Sequence, residues 1–160
     1  MILSFDLDGV VADTDNGLLN LLHQETRKRG FDNFAGASHY LEQYYARRKI
    51  MVDPRELTGP GDKFHIVTGR VPSAHKITRI WVERWLGADS LPNLHLVADA
   101  KIEKFFEQGK TDEASIELGE RKLRVIQFTK AEVHFDNNPL IVAYLRSRGV
   151  TAVLVGGGLL

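Results

Sequence analysis

A chain of 160 residues with 43% hydrophobic and 26% charged residues is one globular domain's worth of sequence, long enough to bury a core. Lys plus Arg equals Asp plus Glu at 21 each, which excludes a global field that would recruit nucleic acid or an anionic membrane. The lack of cysteine excludes disulfides, thiolate metal sites and a Cys nucleophile; the first residues show no leader pattern and no apolar run is long enough to span a bilayer, so a cytoplasmic protein is expected.

The run Ile2 to Leu7, closed by Gly9, has the pattern of a strand buried on both faces in a parallel sheet. Alternation sends Asp6 and Asp8 to the same side. With no basic neighbour in the chain, these two carboxylates repel unless a cation lies between them or one carries a proton. An EF-hand loop starting at Asp6 fails on spacing, because Val11 falls where glycine is required and Gly17 where the bidentate Glu belongs.

Asn16 to Arg29 reads as a helix with Leu18, Leu19, Leu21 and Leu22 as its apolar stripe and Gly30 as its stop. A second helix is expected from Ser38, as N-cap, to Met51. Val52 to Lys63, with Pro54, Gly59, Pro60 and Gly61, is a turn-rich connector. Phe64 to Thr68 is the second strand, stopped by Gly69-Arg70, and Pro72-Ser73 opens a helix that runs to Gly87. Leu94 to Val97 is a third strand, followed by a helix around Ile102 to Gln108. Thr111 to Thr129 is helical, with a break expected at Gly119. Val133 to Phe135 is the fourth strand and ends at Asp136; a helix over Leu140 to Arg148 and a fifth strand over Thr151 to Val155 follow. The triple glycine near the end reads as a flexible tail.

Strands alternating with helices predict an α/β fold with a Rossmann-like parallel five-stranded sheet. The stretch between the first two strands, about 14 to 62, exceeds a simple crossover and reads as a small helical cap inserted after strand one. Sites in such sheets form beyond the carboxyl ends of the strands. There the sequence places Asp6 and Asp8, Thr68, and Asp136. Asp6 and Asp136 are hard oxygen ligands suited to Mg²⁺, which needs few protein ligands. The metal's charge would keep Asp6 ionised as a nucleophile. Asp8 could protonate a leaving oxygen and then activate water. Thr68, strand-end amides and one lysine would bind a transferring phosphoryl group.

On these residues the chain resembles the haloacid dehalogenase superfamily, over nearly its whole length. The first motif of that family is Asp6-Leu7-Asp8-Gly9-Val10; the second is the strand ending in Thr68, followed by Gly69-Arg70. The third is a lysine, best matched by Lys122, and the fourth is His134-Phe135-Asp136-Asn137-Asn138-Pro139. The resemblance implies an aspartyl-phosphate on Asp6, acid/base work by Asp8, and Mg²⁺ held by Asp6, the Asp8 carbonyl and Asp136. An acid at Asp8 matches the phosphatases rather than the dehalogenases. Asn137 departs from the pattern, since many members carry a second acid there; its amide can orient water or a lysine but cannot offset positive charge.

Lys130 lies six residues before Asp136, about 20 Å along an extended chain, so it falls near the far end of strand four. Lys101 opens a helix after the outlying third strand. Lys122, near the start of the segment after Gly119, is therefore the expected phosphate ligand. The cap resembles those of 5′-nucleotidase-like members, with His39, Tyr40, Tyr44 and Tyr45 available to stack on a base or sugar, half or more of them expected to be cap packing. Arg70 is expected either to bind a second anionic group or to be a surface arginine. His65, His95 and His134, inside apolar strands, are expected to be satisfied core groups. The expected function is Mg²⁺-dependent hydrolysis of a nucleotide or other small phosphate ester. The alternatives are a polynucleotide-end phosphatase, if the Arg27-Lys28-Arg29 and Arg47-Arg48-Lys49 clusters face the cleft, or a non-catalytic phosphate-binding protein of the same fold.

Overall fold

The computed structural model describes residues 1–14 and 18–156. Five short strands, β1 (Ile2–Phe5), β2 (Lys63–Thr68), β3 (Leu94–Leu96), β4 (Val133–Asp136) and β5 (Ala152–Leu154), form one sheet. Its order is β3-β2-β1-β4-β5, and every neighbouring pair is parallel. The chain builds outward from β1 through β2 to β3, then returns to lay β4 and β5 on the other side. The order therefore reverses between β1 and β4, which is where a parallel sheet opens a crevice beyond its strand ends. Phe5 and Phe135 stack across that pair, 5.0 Å between ring centroids.

Between β1 and β2 lie α1 (Leu18–Lys28), α2 (Ser38–Ala46) and the single turn α3 (Pro54–Leu57). A 3₁₀ turn at Pro72–Ala74 leads into α4 (His75–Leu86); α5 (Ala100–Glu107) and α6 (Thr111–Thr129) precede β4, and α7 (Pro139–Ser147) joins β4 to β5. Among the described residues no helix is long and apolar enough to cross a membrane.

Several boundaries differ from those read in the sequence. Asn16 and the final glycines beyond Gly156 lie outside the described residues, as do the side chains of Leu19 and Leu21; Leu18 and Leu22 are buried. Ser38 is the first residue of α2 rather than its cap, and Ala37 in the cap position makes no side-chain bond. That helix stops at Ala46, because Ile50 instead bridges back to Ala12. The connector holds α3, capped by the Asp53 carboxylate accepting from the Arg55 amide. Helix α6 runs unbroken through Gly119, whose missing side chain serves packing: a Cβ there would lie 2.9 Å from the Tyr144 ring of α7.

The α1–α3 segment shares the main core. Leu18, Leu22, Phe34, Leu41 and Tyr45 pack in one buried cluster with Val71, Ile77 and Ile102. The chain leaves β1 and returns along a paired stem, with the Asp13 amide donating to the Lys49 carbonyl (2.9 Å) and the Met51 amide to the Val11 carbonyl (2.7 Å). A second cluster joins Leu3, Phe5 and Leu7 to Trp81, Val82 and Leu86 of α4.

Candidate active site

The loop after β1 folds around one carbonyl. Leu7 O accepts from the amides of Val10, Val11 and Ala12, and the Gly9 amide donates to Ala12 O. Gly9 sits at φ 74°, and a Cβ on it would lie 2.1 Å from Asn137 Nδ2. Glycine is thus required twice, for the left-handed backbone and to let the Asn137 side chain close against the loop. Before that turn the Asp6 amide donates to Phe135 O (2.8 Å), which holds Asp6 beside the end of β4.

Lys122, wholly buried on α6, joins the two strand ends. Its Nζ donates to Asp6 Oδ1 at 2.9 Å and to Asp136 Oδ2 at 2.7 Å. Asp136 Oδ2 also accepts from His134 Nε2 (3.1 Å), and Asp136 Oδ1 from the Asn138 amide (3.0 Å). Burial first, then the charge of Asp136, pushes Asp6 well above the usual carboxylate range despite Lys122. Burial would raise Asp136 too, but Lys122 and His134 hold it below that range. Burial alone would lower the Lys122 ammonium, yet Asp136 and Asp6 outweigh it and raise it. One shared lysine therefore leaves the pair of carboxylates short of positive charge, and Asp6 bears the deficit.

Asp8 takes a different cation. Arg70 Nε and Nη2 donate to Asp8 Oδ1 at 3.0 and 2.7 Å, and Nε reaches Oδ2 at 3.1 Å. Arg70 Nη1 donates to the Thr78 hydroxyl (3.2 Å), and the guanidinium lies 3.9 Å from the centroid of the Tyr45 ring. The expectation of a surface arginine is corrected: this side chain is fully buried. Burial would lower its proton affinity, but the Asp8 carboxylate reverses that. Inside the protein the fork donates to Asp8 and Thr78, and the residue also lines the cleft.

These groups floor a cleft of about 160 Å³, smaller than the ~300–1,000 Å³ usual for ligand pockets. Asp6, Asp8, Gly69, Arg70, Lys122, Asp136 and Asn137 all line it. Gly69 allows close approach of α6, since a Cβ there would be 2.8 Å from Leu118. Two residues predicted for the site do not line the cleft. Thr68 is buried behind it, its hydroxyl accepting from the Arg70 amide (3.2 Å). Tyr44 packs under the Arg48 guanidinium, 4.2 Å from the ring centroid. The described wall is not lined by aromatic residues of α2; its one aromatic is Phe106 of α5, beside Leu18 and Ile141.

Sequence reading found Lys122 but missed the rest of the α6 face that reaches the cleft. Thr111, Ser115, Leu118 and Lys122 recur at four, three and four residues and all reach the cleft. Asn138 supports this stripe: Nδ2 donates to the Ser115 hydroxyl (3.1 Å), while Oδ1 caps α7 at Leu140 and Ile141. The helical spacing was available in the sequence; the supposed break at Gly119 hid it. The three strand histidines are paired, His65 Nδ1 with His95 Nε2 at 3.0 Å and His134 with Ser4 and Asp136.

Among the described residues no three His, Cys, Asp or Glu side chains gather as a complete metal-ligand set. Mg²⁺ asks for less, one or two carboxylates with water and substrate oxygens completing its shell. Asp6 and Asp136 are two hard carboxylates sharing a single ammonium, and among the described residues Asp6 Oδ2 accepts no hydrogen bond. The donor set fits that ion. No protein-family model matches the chain, and no curated protein matches it significantly.

Proposed function

We propose that the protein hydrolyses small phosphate monoesters through an aspartyl-phosphate on Asp6, in the manner of the haloacid dehalogenase superfamily that its motifs resemble. The observation that carries this reading is the Asp6–Lys122–Asp136 bridge at the crevice where the strand order reverses, with Asp8 beside it. The segment around α1 and α2 serves in this reading as the small cap. Asp6, the Asp8 carbonyl and Asp136 would hold Mg²⁺, which when bound supplies positive charge to the phosphoryl oxygens.

The Asp6 carboxylate attacks phosphorus and the bond to the ester oxygen breaks, its electron pair leaving with that oxygen. Asp8 gives the leaving oxygen a proton. As a carboxylate, Asp8 then takes a proton from water as the water oxygen attacks the same phosphorus. The bond from phosphorus to Asp6 breaks and phosphate departs, with Asp8 reprotonated. Lys122, held between Asp6 and Asp136, remains beside the transferred group throughout as a fixed charge. Arg70 aims Asp8 from below, and a two-point fork fixes orientation better than a single ammonium would.

The small cleft favours a small ester over a polynucleotide end, and neither basic cluster of the α1–α2 segment lines it. The test is phosphate release from p-nitrophenyl phosphate and a panel of nucleotides and sugar phosphates, with and without Mg²⁺. Mg²⁺-dependent release by wild type and none by Asp6→Asn is expected. Wild-type silence across the panel, or a tenth of the activity surviving in Asp6→Asn, overturns the reading.

A further inference from the structure

Strand β4 carries a histidine that the chemistry above does not use. His134 lies wholly buried two residues before Asp136, so alternation along the strand sends both side chains the same way. In register across the sheet stands Ser4 of β1, itself two residues before Asp6 and equally buried. Ser4 Oγ lies 2.8 Å from His134 Nδ1, and His134 Nε2 lies 3.1 Å from Asp136 Oδ2. A carboxylate can only accept, so Nε2 carries the hydrogen, and in the neutral ring Nδ1 receives the hydroxyl hydrogen of Ser4. The polar chain Ser4–His134–Asp136–Lys122–Asp6 thus runs from inside the sheet to the cleft.

The geometry points to His134, set by Ser4, as a positioning residue that fixes which oxygen of Asp136 is offered to a cation in the cleft. This rests on the phosphatase reading. A carboxylate oxygen has room for about two donors. Oδ2 is filled by Lys122 and His134, while Oδ1 receives only the Asn138 amide among the described residues. With Lys122 on the same oxygen and the Asn138 amide on the other, the His134 bond therefore adds a further restraint against the carboxylate turning about its axis, and among the described residues the remaining site on Oδ1 has no donor. Supporting hydrogen bonds of this kind typically change metal affinity or activity by about 10–100-fold when removed.

The experiment measures Mg²⁺ binding by calorimetry without substrate, together with Mg²⁺ half-saturation of turnover and Tm, in wild type and three variants. His134→Phe fills the space without a donor and should weaken Mg²⁺ binding about 10–100-fold. His134→Gln can present an amide N–H near the Nε2 position and should return binding to within a few-fold of wild type. Ser4→Ala removes the constraint on the ring but not the bond to Asp136, so an intermediate loss is expected. If His134→Phe fails to fold, Ser4→Ala and His134→Gln still decide: loss in the first with retention in the second upholds the role, and wild-type affinity in Ser4→Ala overturns it. Equal Mg²⁺ affinity in wild type and His134→Phe, with only Tm lowered, also overturns it. A wild type that neither binds Mg²⁺ nor releases phosphate overturns the phosphatase reading instead, a result distinct from an active wild type matched by its His134 variant.

Discussion

Asp6 is a buried carboxylate that a shared lysine only partly neutralises, so the same feature that suits it to cations and phosphorus also costs stability. Asp6→Asn should therefore abolish turnover and raise the Tm of the Mg²⁺-free protein. Removing about 1 kcal/mol of charge burial corresponds to about 2–4 °C in a chain of this size. A lowered Tm would count against the charge argument even if activity is lost. Lys122→Ala should cost on the order of 10² or more in turnover, as loss of a preorganised charge does. Lys130→Ala should leave turnover near wild type, because Lys130 is the exposed, left-handed cap at the end of α6. Comparing the kinetics of the two alanine variants checks both statements. At this scale the acids Asp6, Asp8 and Asp136 were legible in the sequence because strand ends are local facts, but β1 stops at Phe5, so Asp8 reaches the cleft from the turn around Leu7 O and not by alternation along a strand. The partner of Arg70 was not: Asp8 is 62 positions away, and no local pattern tells such an arginine from a surface one. The sequence pattern puts Lys122 near a helix start, yet it sits well inside an unbroken helix that runs beside the cleft.

The strands and most helices were readable from apolar runs and their punctuation, and the break expected at Gly119 fails for one reason: local preference marks a stop where a tertiary contact decides. Gly119 is a breaker by propensity but a close-packing position against Tyr144 in the fold. Gly9 shows the same principle at the site, where two separate demands meet in one residue. Gly9→Ala should destabilise the protein by about 1–2 kcal/mol for its positive φ alone. The crowding of Asn137 adds to that and should lower turnover by displacing the loop that carries Asp8. The two parts can be separated. In Gly9→Ala combined with Asn137→Ala the crowding is relieved and only the backbone strain remains, so Tm should recover in part. A double variant no more stable than the sum of the single changes predicts would show that the contact between Gly9 and Asn137 does not couple the two loops.

For the whole molecule, the question is whether the segment between the stem residues Asp13 and Lys49 is a removable lid or part of the body. Its length and place after the first strand read as an insertion, but neither reports what its inner face touches. Phe34, Leu41 and Tyr45 are completely buried and belong to the core shared with the α4, α5 and α7 region. Tyr45 also forms the surface on which the Arg70 guanidinium rests, and through Arg70 it supports Asp8. The tip is different in kind: Lys28, Arg29 and Gly30 are exposed, and the two cations there pair with the equally exposed Glu25. Replacing residues 14–48 by a short linker across the paired stem should therefore expose a buried arginine and several large apolar side chains. Each large core side chain lost costs about 2–5 kcal/mol, so the sum rivals the ~5–15 kcal/mol by which a domain is stable. The truncated chain is expected to be insoluble or to lose cooperative unfolding, and to hydrolyse no generic ester. The milder Tyr45→Leu, which keeps an apolar filler but removes the ring under Arg70, should fold with a lowered Tm and turn over more slowly. Soluble yield, thermal melts and p-nitrophenyl phosphate turnover decide the matter: a truncated protein that melts cooperatively and keeps wild-type turnover would make the segment a separable lid.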